Sequence, residues 1–93
     1  MKAIWNKIVI AESTSTQVVE GNHYFPPNSI QWQYFQNSGK TTLCGWKGTA
    51  NYYDILVGDS TNEQGAWYYA EPKPEAANIK GYIAFWNGVE IKP

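Results

Sequence analysis

Arginine is missing from these 93 residues altogether, and the seven lysines are outnumbered by eight acids. Guanidinium is the preferred bidentate group for phosphates and base edges, so its absence at a net charge of −1 argues against a nucleic-acid partner. Cysteine occurs once, at Cys44, which rules out an internal disulfide and leaves nothing that points to an oxidising compartment. Long apolar runs are absent too. Runs such as Ile8-Val9-Ile10-Ala11 fall far short of the ~20 residues that span a bilayer. Met1 to Lys7 has no apolar stretch of signal-peptide length. The expectation is a cytoplasmic soluble domain with neither nucleic acid nor membrane as partner. Histidine is as scarce as cysteine. His23 and Cys44 together cannot furnish a three- or four-ligand zinc site, so no metal or cofactor is expected.

Aromatic residues are plentiful by contrast. Five Trp, seven Tyr and three Phe make 16% of the chain, while leucine appears only as Leu43 and Leu56. Aromatic and β-branched side chains suit pleated, half-buried surfaces, and apolar residues recur with period 2. Strands are expected at Ala3–Trp5 and Lys7–Glu12 about a tight Asn6-Lys7 turn, and at Gln17–Glu20, His23–Phe25, Ile30–Tyr34, Ala50–Val57 and Ala66–Ala70. Asn37–Lys40 reads as a turn and Gly58–Gly65 as a polar loop. Asn87-Gly88 between Tyr82–Trp86 and Val89–Ile91 reads as a type I′ hairpin. One short helix is signalled near 74–80, opened by Pro74 and Glu75 and closed by Lys80 and Gly81. The sum is one all-β domain, a closed or half-closed barrel or sandwich of about seven or eight mostly antiparallel strands.

Chemistry concentrates between Cys44 and Tyr53. A lysine three residues from the only cysteine can lower its pKa and make a reactive thiol, although free cysteine often serves as a small buried hydrophobe. Cys44 and Lys47 are therefore the candidate catalytic residues. Lys47 is an ordinary solvated lysine if it points outward, and an anchor for an anionic ligand if it points into an aromatic pocket. Most of the tryptophans and tyrosines should be core, and the remainder could line a cleft suited to a sugar, a nucleobase or a flat metabolite. Gly39-Lys40-Thr41 imitates the end of a phosphate-binding loop, but Tyr34 stands where the first glycine belongs. His23 reads as a structural or surface residue.

The pattern Cys44-x-x-Lys47-Gly48-x-Ala50-x-Tyr52-Tyr53, followed by Ala66-Trp67-x-Tyr69-x-x-Pro72-x-Pro74 and Ile79-x-Gly81-x-x-Ala84-Phe85, resembles the family known as domain of unknown function 427. The Ala11–Thr14 and His23–Pro26 stretches are similar as well, so the resemblance covers nearly the whole chain. It implies a compact β-rich domain, and the family is in places labelled nucleotidyltransferase-like. That activity calls for a Gly-Ser turn leading to paired metal-binding aspartates, whereas this chain has only Asp54 and Asp59 without such a turn.

These readings converge on a domain that binds a small anionic or aromatic ligand through Lys47, Tyr52, Tyr53, Trp67 and Tyr69, with Cys44 at the edge. Strand parity allows only one of Tyr52 and Tyr53 to share a face with Lys47's site. An enzyme using Cys44 or a Lys/Tyr acid–base pair, and a purely structural or interaction domain, are the alternatives. An open strand edge could seat a second copy of the chain.

Overall fold

The computed structural model describes residues 1–93 as nine strands and three short 3-10 turns. In chain order the strands are β1 (Lys2–Trp5), β2 (Ile8–Glu12), β3 (Gln17–Val19), β4 (Asn22–Tyr24), β5 (Phe35–Cys44), β6 (Gly48–Val57), β7 (Ser60–Tyr68), β8 (Ile83–Phe85) and β9 (Glu90–Lys92). All strand pairs are antiparallel. They form a sheet of order β2-β1-β9, a hairpin β3-β4 and a larger sheet β5-β6-β7-β8. Single bridges join the sheets. Phe25 and Ile83 exchange both backbone hydrogen bonds, at 2.7 and 2.8 Å, and Ala11 bridges Ile30. The sheets therefore wrap around the core without closing into a barrel.

Period-2 alternation in the larger sheet divides the interior in two. Tyr53, Ile55 and Val57 of β6, Ala66 and Tyr68 of β7, and Ile83 and Phe85 of β8 face one way, into a core shared with Ala3, Ile10, Ala11 and Phe25. Ala50, Tyr52, Trp67 and Ala84, with Tyr69 just beyond β7, face the other way, against Tyr24 and the buried Ala76 and Ile79. The second face is covered only in part, and the uncovered part is where a pocket opens.

Several expected elements take other forms. Ile30–Tyr34 alternates like a strand, but the Ile30 amide is taken by the Pro27 carbonyl and Trp32–Tyr34 closes into a 3-10 turn. The expected turn at 37–40 lies inside β5 as a bulge, with pairing that jumps from Asn37 to Thr41 and Gly39 at φ +79°. The polar stretch 58–65 is a two-residue turn followed by the first half of β7. Its inward residue is Asn62, not a hydrophobe, and the Asn62 amide is satisfied by the Asn87 carbonyl at 2.9 Å and the Asn87 side chain at 3.0 Å. A buried polar residue with full partners leaves no hydrophobic alternation to read.

Asn87 and Gly88 have the positive φ angles expected of a type I′ turn, +53° and +94°. Their flanks do not pair with each other, however. β8 joins β7 and β9 joins β1, because each flank finds a longer-range partner for its apolar face. The helix near 74–80 is a pair of 3-10 turns over Pro74–Ile79, kinked at Ala76 (φ −117°).

Candidate functional site

Cys44 ends β5 and Gly48 begins β6, so Gly45, Trp46 and Lys47 form the tip between them. Two other segments hold this tip. From one side comes the β3–β4 turn, whose Glu20 accepts a hydrogen bond from Lys47 Nζ through Oε1 and from Trp46 Nε1 through Oε2 at 3.4 Å. From the other side comes Lys73, whose backbone amide donates to the Lys47 carbonyl at 2.9 Å and whose Nζ donates to the Gly45 carbonyl at 2.6 Å. The tip is thereby fixed, and Lys47 is turned inward. Its side chain is only 9% exposed, and its ammonium lies 5.1 Å from the centre of the Trp46 ring and 5.7 Å from that of Tyr69. Ring faces are electron-rich and attract a cation, so two rings and one carboxylate offset the cost of burying this one.

Beside Lys47 lies a cavity of about 220 Å3 lined by Lys47, Tyr52, Trp67, Tyr69 and Trp86. Four of the five residues expected from sequence to bind a ligand thus stand together. Tyr53 does not join them. Parity places it on the opposite face, where its ring stacks on Tyr68 at 4.9 Å and meets Trp32 and Phe35 edge-on. Burial pushes its phenol up to about 12, with Tyr68 adding to the shift. Cys44 does not line the cavity but packs against the core beneath it. Trp86 is the member that sequence reading missed. It sits just after β8, and its ring meets Trp67 at 86° and 6.3 Å.

Most polar tips in this cavity are already occupied. Trp67 Nε1 donates to the Tyr24 hydroxyl at 3.2 Å, Trp86 Nε1 to the Gln64 carbonyl at 2.6 Å, and the Tyr52 hydroxyl pairs with Thr42 Oγ1 at 3.0 Å. The Tyr69 hydroxyl has no partner within the protein and is not sealed from solvent. Burial holds it neutral, with a pKa pushed up to about 12 despite the opposing pull of Lys47. It can therefore both donate and accept across the whole neutral range.

The charged groups are coupled. Burial pulls the Lys47 ammonium down, but Glu20 outweighs it with help from Tyr24, Tyr69 and Cys44, and the net shift is upward. The hydrogen bond from Lys47 holds the Glu20 carboxyl below its ordinary range, against weaker desolvation. Hydrogen bonds from the backbone at Lys47, and then at Trp46, lower the Cys44 thiol. His23 is engaged by Thr16 at 3.1 Å, Asp54 accepts the Gln64 amide at 2.8 Å, and neither lines the cavity.

An open, mostly antiparallel β domain with one aromatic pocket beside a clamped lysine is the class that fold and site define. The chain belongs to the family described as a domain of unknown function (DUF427), whose model matches residues 1–92. No curated protein matches it.

Proposed function

We propose that this domain binds a small ring-shaped molecule in the cavity walled by Tyr52, Trp67, Tyr69 and Trp86, with Lys47 at its inner end. The observation that carries this reading is the state of the polar tips. Trp67, Trp86 and Tyr52 each turn their polar atom to another protein group, so the surface left to a ligand is largely aromatic. Trp86 is 51% exposed and borders the cavity, so a ligand seated there would cover it. A volume near 220 Å3 is of single-ring size. Titration of tryptophan fluorescence with indole, adenine, benzoate and methyl pyranosides tests this. At least one probe should shift the emission saturably, and Trp86→Ala should weaken that probe at least tenfold while leaving the fold intact. No response from the whole panel means the rings are structural.

One observation favours a second reading, in which Cys44 acts as a nucleophile. Its thiol is half-buried, in no disulfide, and lowered from the ordinary thiol range by hydrogen bonds from the backbone of Lys47 and Trp46, the direction that favours thiolate. Inertness of Cys44 towards iodoacetamide in the folded protein up to pH 9 removes this reading.

A further inference from the structure

Glu20 occupies a backbone conformation that glutamate rarely adopts. It has φ +54° and Gly21 follows at φ +80°, the pair of positive angles that closes the β3–β4 hairpin. Asparagine or aspartate is the usual choice at such a first position, because a longer side chain gains nothing locally and the left-handed region costs it energy. Here the length is used. Both carboxylate oxygens reach across to the β5–β6 tip, one to Lys47 and one to Trp46. A strained residue whose side chain grips the innermost cation of a cavity has a role beyond turning the chain.

That role is to set the charge of the pocket. An unpaired buried ammonium at the end of an aromatic cleft would be a strong anion site. With Glu20 attached, the Lys47 end is a neutral pair that still offers N–H donors, and the free Tyr69 hydroxyl adds a donor and an acceptor beside it. The remaining walls are electron-rich ring surfaces. Such faces attract the slightly positive C–H groups of a saturated ring, and the polar end can pair with hydroxyls. Two other cations lie nearby, Lys40, 5.7 Å from the Tyr52 ring centre and bound to Gln64 at 3.2 Å, and Lys73, bound to the Gly45 carbonyl at 2.6 Å; both are exposed, so each contributes only a screened charge.

Building on the ring-binding reading above, we infer that the pocket takes an uncharged, hydroxylated ring of the pyranose type, and that Glu20 is the specificity-determining residue that disfavours its anionic counterpart. The ligand stacks on Trp67 and Trp86 and hydrogen-bonds Tyr69 and Lys47. Glu20 acts through Lys47 and serves as a positioning residue.

Glucose-type rings and glucuronate share a frame and differ by one carboxylate, which makes them the deciding probes. Indole N–H shifts of Trp67 and Trp86 are to be followed by NMR while methyl glucoside, methyl galactoside, methyl mannoside and methyl glucuronide are added. In the wild type a neutral glycoside should bind more tightly than the glucuronide. Glu20→Gln, whose one amide oxygen can still accept from Lys47 but which loses the charge and the bond from Trp46, should reverse the order, strengthening the glucuronide by about tenfold, as one uncovered charge near a partly screened site provides. Glu20→Asn suits the turn and is too short to reach Lys47. It should show the same reversal, which guards against a folding effect peculiar to one variant. Three results overturn the inference: a wild-type preference for the glucuronide, an unchanged preference in both variants, or silence towards every glycoside while indole or adenine shifts the same signals. That last pattern leaves ring binding intact. Silence towards indole and adenine as well removes both readings together.

Discussion

At the scale of single residues, the Lys47–Glu20 pair makes a testable statement about pH. Glu20 is shifted down on folding, so its contribution is present above the ordinary carboxylate pKa and is lost as pH falls through the lower folded value. Lys47 is shifted up, so its contribution is complete below the ordinary lysine pKa and is lost as pH rises through the higher folded one. The stability difference between wild type and Glu20→Gln should therefore be a plateau across neutral pH that shrinks at both extremes. Urea unfolding at several pH values measures it, and a difference that persists unchanged into strong acid contradicts the pairing. Cys44 gives a second prediction. Its alkylation by iodoacetamide should have a midpoint below that of an ordinary thiol in the folded protein and return to the ordinary value in urea.

The candidate site was legible residue by residue only where local spacing sufficed. Tyr52 on β6, Trp67 on β7 and Tyr69 just beyond it share a face by parity, whereas Lys47, in the tip before β6, joins them because Glu20 and Lys73 hold that tip in place. The same parity sends Tyr53 to the opposite core. Glu20 lies 27 positions before Lys47 in a different hairpin, and no periodicity connects them. Trp86 was visible as one of five tryptophans, but its place depends on β8 joining β7 rather than its own neighbour β9.

At the scale of elements, the lesson concerns partners more than propensity. Asn87-Gly88 adopts the turn angles its residues favour, yet β8 and β9 leave it for different sheets, since local chemistry fixes a turn without choosing what its flanks bond to. The strand at Ala66–Ala70 is legible, while the polar first part of β7, Ser60 to Gly65, reads as a loop in the sequence because its inward position belongs to Asn62. The same residue makes Gly65 indispensable: a Cβ there would lie 2.7 Å from the Asn62 side chain, which is held in place by two hydrogen bonds to Asn87. Gly65→Ala should destabilise the protein by about 1–3 kcal/mol, since the buried amide cannot yield without losing partners. Chemical denaturation reads this directly, and Asn62→Ala combined with Gly65→Ala should show less than the sum of the two separate costs.

At the scale of the whole molecule, the larger core cluster and the candidate pocket are separate. A chain of 93 residues supports one modest core, here split into two clusters by the alternation of the larger sheet. Phe25 is fully buried and touches Phe85 edge-on at 5.4 Å, so Phe25→Ala should cost about 3–5 kcal/mol, much of the stability of a domain this size. Trp86, by contrast, is half exposed, and its removal should lower the melting temperature little while disabling the pocket.

The most direct measurement is a backbone and indole 1H–15N shift map of the wild-type protein titrated with the tightest probe of the fluorescence panel. The account predicts saturable shifts at Lys47, Tyr52, Trp67, Tyr69 and Trp86, with Trp32, Phe35, Tyr53 and Tyr68 on the opposite face unmoved. Shifts centred on that opposite face, or none at Trp67 and Trp86, would contradict it.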